Sequence, residues 1–309
     1  MDIDILQFLE QEGIASRLVE GVKEFRAQFP VREEEFRDRI PVPEYLYYGK
    51  DVWEKAIAAL LAGENLLLTG PKATGKNVLA ENLAYVFGRP AWNVSFHIST
   101  EASFLIGADT YDGDKVVFRP GPIYLTAQNG GFVVLDEINM ARNEALAVLH
   151  SALDFRHIID VPGYKKVRVH EAARFIATMN YGYAGTRDLN AALASRFVVL
   201  NMPVATEKDL KKLITGRFPA INDQICDQFM KLFYELEKKA SHADISDRAV
   251  DLRGLLDALR LIEKGIASGA ALDMCIVNKT FDPFEQQLVR DVVSARLPAD
   301  LTAEDVFTA

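Results

Sequence analysis

Through the middle of the chain, short apolar runs alternate with segments whose apolar residues recur at helical spacing. Strands that are buried on both faces are apolar throughout, so this alternation predicts an α/β fold with a parallel sheet and helices on both faces. In open parallel sheets, ligands bind at the carboxyl ends of the strands. The predicted strands are residues 65–69, 91–95, 132–136, 174–179 and 197–201, and the main predicted helices are residues 51–62, 77–87 and 141–154.

Other patterns flank and interrupt this region. Before it, helical spacing predicts a charged lead-in that ends near Pro41 and Pro43, and after about Val204 only helical patterns remain. An Asp-Gly turn in residues 110–118 and a Pro-Gly turn in residues 157–169 predict two β-hairpin inserts. We therefore predict a helical lead-in, an α/β domain and an all-helical lid domain, over residues 1–40, 41–205 and 206–309.

Composition and charge narrow the class of protein. The 309 residues are 49% apolar and 26% charged, as in a globular protein with a full core. The net charge of −9 argues against a general electrostatic grip on nucleic acid or anionic membranes. Cys226 and Cys275 lack metal-ligand spacing and are predicted to be buried thiols in a reducing compartment. Without a signal-peptide pattern or a membrane-spanning apolar run, we expect a cytoplasmic protein.

The first predicted strand runs into a Gly-x-x-x-x-Gly-Lys loop followed by a helix. Glycines let the loop amides turn inward around phosphate oxygens, and a helix N-terminus favours negative charge. Lys76 can reach the β- and γ-phosphates, so the pattern predicts a nucleotide-binding loop, although a plain glycine-rich turn has the same local sequence. The predicted phosphate-binding residues are Gly70, Pro71, Lys72, Ala73, Thr74, Gly75, Lys76 and Asn77, with Lys72 expected to be an exposed extra cation.

Asn77 departs from the usual pattern, in which the residue after the loop lysine is Ser or Thr and ligates magnesium. An amide oxygen is also a hard ligand, so Asn77 stays a candidate magnesium ligand. The substitution also raises a second hypothesis, a nucleotide-gated scaffold that binds ATP and turns it over slowly.

Polar residues end two other predicted strands. The run at 131–137 ends in Asp136 and Glu137, whose side chains point to opposite sides of the strand. We predict that Asp136 holds magnesium and that Glu137 polarises an attacking water. Asn180 ends the next buried strand and can bond the γ-phosphate or that water, although a loop-capping Asn has the same pattern. Arg196 precedes the last strand, where a surface ion pair is the ordinary alternative.

In this order, the motifs resemble those of AAA+ ATPases. The segment from Gly121 to Thr126 before the acidic strand, the Met179-Asn180 strand end and the two hairpins are similar to the MoxR branch. The resemblance covers residues 48–203 closely and the rest loosely. The roles that it implies are a Walker A lysine at Lys76, a Walker B pair at Asp136 and Glu137, sensor 1 at Asn180, and at Arg196 an arginine finger that completes a neighbouring subunit's site.

Further roles are implied outside these motifs. A sensor 2 arginine is expected in the helical domain, where Arg253 fits best and Arg248 is its rival; a surface salt bridge fits either one equally. Tyr48 and Gly49 stand where this family packs the adenine, although Tyr48 also fits ordinary core. The implied cofactors are ATP and Mg²⁺, and the implied assembly is a hexameric ring.

The function implied is that of a MoxR-like ATPase, which acts on a protein client as a chaperone or activator of metalloenzymes or complexes, with a von Willebrand A-type partner. The alternative is a nucleic-acid motor, for which the second hairpin offers Lys165, Lys166 and Arg168; the net charge weighs against it. The residues leave guanine selectivity, the client and the ring size open.

Overall fold

A computed structural model describes residues 4–180 and 188–308 of the chain. The chain divides into two compact units. The first unit consists of Met1–Pro71 and Gly75–Pro203, and the second unit consists of Lys72–Thr74 and Val204–Ala309. Residues 1–3 of the predicted lead-in and residue 309 of the predicted helical domain lie outside the described residues. In the described part of the chain, every helix is too short or too polar to cross a membrane.

The first unit contains the predicted parallel sheet. Each of its five strands lies within one residue of the predicted bounds at either end, because short runs rich in apolar residues between helical patterns are a strong signal for strands. The strands of the unit, hairpins included, are β1 (Leu66–Gly70), β2 (Ala91–Ser95), β3 (Gly107–Asp112), β4 (Lys115–Pro120), β5 (Phe132–Asp136), β6 (Ile158–Ile159), β7 (Val167–Arg168), β8 (Arg174–Asn180) and β9 (Val198–Asn201).

The spatial order of the sheet is β2-β5-β8-β1-β9, with every pair parallel. The three central strands therefore end side by side at one edge. The register pairs Gly70 with Asn180, and it pairs Asp136 with Ser95. This arrangement brings residues that are far apart in sequence to the same carboxyl edge.

Ten helices accompany these strands in the described part of the first unit. Glycines and prolines mark several of their ends: Pro122 opens α7, and Gly130 follows it in the left-handed region. The helices are α1 (Ile5–Gln11), α2 (Ser16–Gln28), α3 (Glu34–Arg37), α4 (Lys50–Leu61), α5 (Lys76–Val86), α6 (Ala102–Ile106), α7 (Pro122–Asn129), α8 (Asn143–Leu146), α9 (His150–Leu153) and α10 (Ala191–Ala194).

The sheet separates two hydrophobic cores. Leu66 and Leu68 point into one core with α1, α2, α4 and α5, while Leu67 between them points into the other core with α6 and α7. Successive side chains of a strand face opposite sides, so the continuous apolar sequence of β1 fills both layers. The lead-in helices α1 and α2 are thus part of the core of the first unit.

Both predicted hairpins are present. β3 and β4 pair over their whole length around the Asp-Gly turn, and β6 and β7 form a shorter hairpin of two residue pairs. Tyr164 joins them, because its hydroxyl donates to Asp109 at 2.6 Å and its ring lies 4.8 Å from that of Phe118. The hairpins therefore form one contiguous insert.

One predicted helix is wrong as drawn. Residues 141–154 do not form a single helix but α8, a 3₁₀ turn at Ala147–Leu149, and α9. The buried positions still follow helical spacing, since Leu146, Leu149 and Leu153 all face the core. The periodicity thus identified the buried face, whereas the hydrogen-bond pattern depended on packing around it.

The second unit is helical, as predicted for the region after Val204. Polar side chains cap several of its helices: Asn222 caps α12, and Asp282 caps α15, which has Pro283 at its first position. Cys226 and Cys275 are buried free thiols in this unit. Its helices are α11 (Glu207–Arg217), α12 (Asp223–Ser241), α13 (Leu252–Glu263), α14 (Ser268–Cys275), α15 (Pro283–Arg296) and α16 (Ala303–Val306).

Candidate functional site

The Gly-rich loop leaves β1 and opens α5 with a backbone that glycine makes possible. Gly70 has φ 154° and Gly75 has φ 80°, both disfavoured for residues with a Cβ. A Cβ at Gly75 would also lie 3.2 Å from the ring of Tyr47. Because Gly75 is the N-cap of α5, the loop leads directly into the free amides of a helix N-terminus, which is a ready site for phosphate.

Lys76 is the buried cation of this loop. Its side chain curls back so that Nζ donates to the carbonyl oxygens of Gly70 at 3.0 Å and Pro71 at 2.6 Å, and only 7% of the residue is exposed. Burial lowers the pKa of Lys76 to about 8, an effect that Asp136 and Glu137 partly offset. The ammonium thus lies between the loop and the acidic strand end. Lys72, in contrast, is exposed as expected.

The acidic strand end is held by Thr178 of the neighbouring strand. The Thr178 hydroxyl donates to Asp136 Oδ1 at 2.6 Å and accepts from the backbone N–H of Glu137 at 3.1 Å. Thr178 is 1% exposed, so these bonds form away from solvent. Sequence reasoning missed Thr178. A signal was present, because Thr178 lies two residues before Asn180 and therefore on the same face of β8.

Glu137 has an unusual backbone and a specific side-chain partner. Its φ of 54° and ψ of 47° are left-handed, a conformation that costs about 1–3 kcal/mol for residues other than glycine. Asn180 Nδ2 donates to Glu137 Oε1 at 3.1 Å, and Asn139 Nδ2 donates to the carbonyl oxygen of Asn180 at 3.1 Å. The structure therefore brings Lys76, Asp136, Glu137 and Asn180 together at the carboxyl edge of the sheet.

The donors at this edge fit magnesium. Asp136 supplies a carboxylate at the end of β5, and Asn77 is an exposed residue in the first turn of α5 with an amide oxygen. Both are hard oxygen donors, and Mg²⁺ commonly keeps several waters and uses one or two protein ligands plus phosphate oxygens. Within residues 4–180 and 188–308, no group of three or more His, Cys, Asp and Glu side chains could hold a metal.

Arg196 lies away from this cluster, before the amino end of β9. Val198 pairs with Leu66, and Gly70 lies four residues further along β1, a separation of about 13 Å at 3.3 Å per residue. The Arg196 guanidinium bonds the carbonyl oxygen of Ala192 and lies 3.7 Å from Asp154. Arg196 is therefore not positioned on the loop of its own chain.

Asp154 was also missed by the sequence analysis, and it holds two arginines. Arg156 binds it through Nε at 3.0 Å and Nη2 at 2.7 Å, and these bonds and charges lower the pKa of Asp154 to about 2. The buried Nε of Arg196 has no hydrogen-bond partner among the described residues. Phe155, which lies between Asp154 and Arg156 in the sequence, is 89% exposed. Phe155 and its neighbour Arg156 are thus exposed, whereas Arg196 is largely buried.

The segment before α4 brings a different tyrosine to the loop from the one predicted. Tyr48 is half-buried with its ring 5.5 Å from that of Phe8, so it packs in the core. The ring that lies against Gly75 and Gly49 is that of Tyr47. Asn82 on α5 fixes this segment, because its Oδ1 accepts from the N–H of Tyr47 at 2.9 Å. The sequence analysis singled out neither Tyr47 nor Asn82.

The sensor 2 candidates lie in the second unit. Arg253 is exposed in the first turn of α13, where its backbone N–H donates to Asp251 at 3.1 Å. Arg248 is exposed in the preceding loop, with its guanidinium carbon 5.8 Å from the centre of the Phe281 ring. The choice between the two stays a prediction.

Comparisons with known proteins identify the family of the chain. Residues 65–197, from the strand that precedes the loop to Phe197, match the model of the AAA domain of the dynein-related subfamily. The chain is 32% identical over 263 residues to the uncharacterized protein YojN of Bacillus subtilis, which covers 84% of this chain and 86% of that protein. It is 30% identical over 256 residues to the uncharacterized protein SH1500 of Staphylococcus haemolyticus, covering 81% and 97%. The chain therefore belongs to the dynein-related AAA subfamily and carries an AAA-type ATPase domain.

Proposed function

We propose that this chain is a MoxR-like ATPase that hydrolyses Mg-ATP and uses the cycle to remodel or activate a protein partner. The observation that carries the proposal is the cluster at the carboxyl edge of the sheet. There, a buried lysine, two carboxylates and an amide side chain surround a helix N-terminus. Such an arrangement supplies charge for phosphates and a base for water at the same place.

In the proposed reaction, the loop amides and Lys76 bind the β- and γ-phosphates, and the Lys76 ammonium stabilises negative charge that develops in the transition state. Glu137 orients the attacking water and accepts hydrogen bonds from it. Asn180, which already donates to Glu137, holds the carboxylate and is within reach of the same water. Magnesium, held by Asp136 and Asn77, would supply positive charge to the phosphate oxygens.

Arg196 fits a role in a neighbouring subunit of a ring. It is about 13 Å or more from the loop of its own chain, by the strand geometry given above. Asp154 orients it, and an arginine supplied in trans contributes about 10³–10⁵ in rate in related phosphoryl transfers. We propose a homo-oligomeric ring, with a hexamer as the expected size.

The client is proposed to be a protein, in a cytoplasmic complex with a von Willebrand A-type partner. The joined hairpins offer a contact surface, because Tyr111 is 80% exposed and Val116, its partner across the hairpin, is 55% exposed. Exposed aromatic and aliphatic groups on a short two-stranded ribbon favour protein contact over nucleic acid. At the second hairpin, Lys166 is paired with Asp160 at 2.9 Å, which lowers its value as a phosphate ligand.

A mixing experiment tests the proposal directly. Arg196→Ala and Glu137→Gln are each expected to lose most Mg-ATP turnover, and an equal mixture of the two is expected to regain part of it. Recovery follows because some interfaces of a mixed ring contain an intact Glu137 and an intact Arg196. Arg32→Ala, an exposed arginine without a predicted role, serves as the control in the same mixture.

Each other outcome has a defined meaning. A wild-type rate that is independent of protein concentration, with no recovery on mixing, would contradict the trans arrangement. Tight nucleotide binding with no turnover at any concentration would favour the nucleotide-gated scaffold that Asn77 suggests. Turnover that rises strongly with single-stranded or duplex DNA, and not with a protein client, would favour the nucleic-acid motor.

A further inference from the structure

A cleft lies at the amino edge of the sheet, remote from the phosphate loop. Its cavity of about 370 Å³ is bounded by the C-terminal ends of α2 and α5 and by α3. Helix α5 connects the two places: it begins at the loop with Lys76 and ends at the cleft after Val86, about 16 Å away at 1.5 Å per residue. The volume is in the range of sites that bind small ligands or a few residues of a peptide.

Two guanidinium groups line the cleft, and each has N–H groups without a hydrogen-bond acceptor. Arg26 donates through Nε to Val86 and through Nη2 to Tyr85, both at 2.7 Å, and Arg37 donates through Nε to Val31 at 3.2 Å. These acceptors are all backbone carbonyl oxygens. In the described part of the chain, no group accepts from Arg26 Nη1 or from the two terminal nitrogens of Arg37. Neither arginine forms an ion pair there, although the Asp4 carboxylate acts on Arg26 and partly offsets the lowering of its pKa.

The walls of the cleft are apolar. Phe29, Pro30, Val31 and Ile40 line it together with the ring of Tyr85. Burial lowers the pKa of Arg26, but the half-buried guanidinium keeps its charge. Its unfilled donor, Nη1, therefore favours an anionic acceptor. The cleft thus combines a fork of cationic donors with apolar contact surface, the chemistry that recognises a carboxylate next to an apolar side chain.

The surroundings select a single carboxylate over a polyanion. The short helix that contributes Arg37 also carries Glu34 and Glu35, both exposed, and the whole chain has a net charge of −9. Repeated phosphates would meet these carboxylates, whereas one acidic side chain flanked by neutral or basic residues would not.

We infer that this cleft binds an extended segment of a partner polypeptide, in which one Asp or Glu lies beside an apolar residue. The acidic side chain bridges Arg26 Nη1 and the terminal nitrogens of Arg37, and the apolar neighbour packs on Phe29 and Ile40. This binding does not depend on nucleotide hydrolysis, and it goes beyond the proposed function of the other edge.

Selection from a random peptide library displayed on phage tests the inference without knowledge of the partner. The full chain is panned without nucleotide at physiological ionic strength, in parallel with Arg37→Gln and with the matched control Arg32→Gln. Both arginines are exposed and sit near each other in sequence, but only Arg37 lines the cleft. We expect Asp or Glu next to an apolar residue to be enriched by wild type and by Arg32→Gln, and not by Arg37→Gln.

The most enriched peptide is then synthesised with a fluorophore and measured by anisotropy. Arg37→Gln in the protein, or Gln in place of the acid in the peptide, should each weaken binding at least about tenfold, the effect of losing a charge-assisted pair. Mg-ATP turnover of Arg37→Gln should equal that of wild type, which separates this test from the test of the ATPase. Enrichment without an acid, or enrichment that survives Arg37→Gln, overturns the inference. Arg37-dependent binding of inorganic phosphate or single-stranded DNA, with no acidic peptide selected, also overturns it.

Discussion

At the carboxyl edge of the five-stranded sheet the buried cation is Lys76, and at the amino edge the buried cations are Arg89 and Arg174. Lys76 lies beside the carboxylates of Asp136 and Glu137 and curls back onto its own loop. Arg89 donates to the carbonyl oxygens of Gly130, Phe29 and Asn129 at 2.7, 2.5 and 3.1 Å. Lys76 thus belongs to a cluster of ionisable groups, whereas the hydrogen-bond acceptors of Arg89 are all backbone carbonyl oxygens.

Helix ends explain the difference. Carbonyl groups at helix C-termini carry partial negative charge and lack partners within the helix, so an arginine there satisfies several acceptors at once. Arg89 does this for α2 and α7, and Arg174 donates to the carbonyl oxygen of Leu60 near the end of α4 at 2.6 Å. Burial lowers the pKa of Arg174 to about 10, which still leaves it charged at neutral pH. Arg89 and Arg174 at the amino edge therefore stabilise helix ends, whereas Lys76 at the carboxyl edge lies in the cluster proposed to bind and hydrolyse nucleotide.

The largest effect should come from removing the proposed base at the carboxyl edge. Glu137→Gln should lower Mg-ATP turnover by about 10²–10⁴-fold, because a general base contributes in this range, while nucleotide binding stays within a few-fold of wild type. Turnover and the Kd of a fluorescent ATP analogue are the measurements. Glu144→Gln, an exposed glutamate on α8, is the control. Equal losses in binding and turnover would show that Glu137 serves the fold of the edge.

At the amino edge, Arg89→Met should destabilise the chain by about 3 kcal/mol, because three buried or partly buried carbonyl oxygens lose their donor. The free energy of unfolding in urea, followed by circular dichroism, measures this loss. Arg32→Met, an exposed arginine, should change it by less than about 0.5 kcal/mol. A stable Arg89→Met variant with impaired turnover would reverse the comparison between the edges.

Thr178→Val should lower turnover by about 10–30-fold, because it removes the hydroxyl that bonds Asp136 and the N–H of Glu137 without changing the side-chain shape. Thr178→Ser keeps the hydroxyl and should retain most activity. The diagnostic measurement is kcat with its pH profile, since a loss of stability alone would leave that profile unchanged. Equal activity of the Val and Ser variants would exclude a positioning role for Thr178.

The smallest expected effect is a pH dependence of nucleotide binding. The pKa of Lys76 is lowered to about 8, so the ammonium form dominates below that pH and is lost as the pH rises through it. Without magnesium, the Kd for ATP should therefore be about tenfold weaker at about pH 9 than at about pH 7. Lys76→Arg should flatten the dependence, because guanidinium stays charged. Lys72→Ala should leave it in place, and a flat wild-type profile would contradict the lowered pKa.

Much of the fold could be predicted because it depends on local patterns. Short runs rich in apolar residues predicted all five sheet strands within one residue, and the turn residues predicted both hairpins. The predicted helix over residues 141–154 was wrong because apolar spacing reports which face is buried and not how the backbone bonds within it. Its buried residues were nevertheless those of a helical face.

Candidate site residues could be predicted where they lie close together in sequence, and not where a contact joins residues of different strands or helices. Thr178 and Asp136 are 42 residues apart, and Tyr47 meets Asn82 across 35 residues. Such contacts require the strand order and register, which no local pattern specifies. For the same reason, the sequence analysis expected an aromatic ring near the loop but named Tyr48. The ring that faces the loop is that of the adjacent Tyr47.

By itself, then, the sequence determined the alternation of strands and helices, the glycine loop with Lys76, and the polar residues that end β5 and β8, because each depends on neighbours along the chain. The tertiary structure decided which side chains share an edge. It brought the Thr178 hydroxyl to the acidic pair, placed Arg196 at the opposite edge with Asp154, and brought Arg26 and Arg37 to the same cleft. The physical reason is that a parallel sheet collects residues by strand order and direction, and the packing of both hydrophobic cores fixes that order.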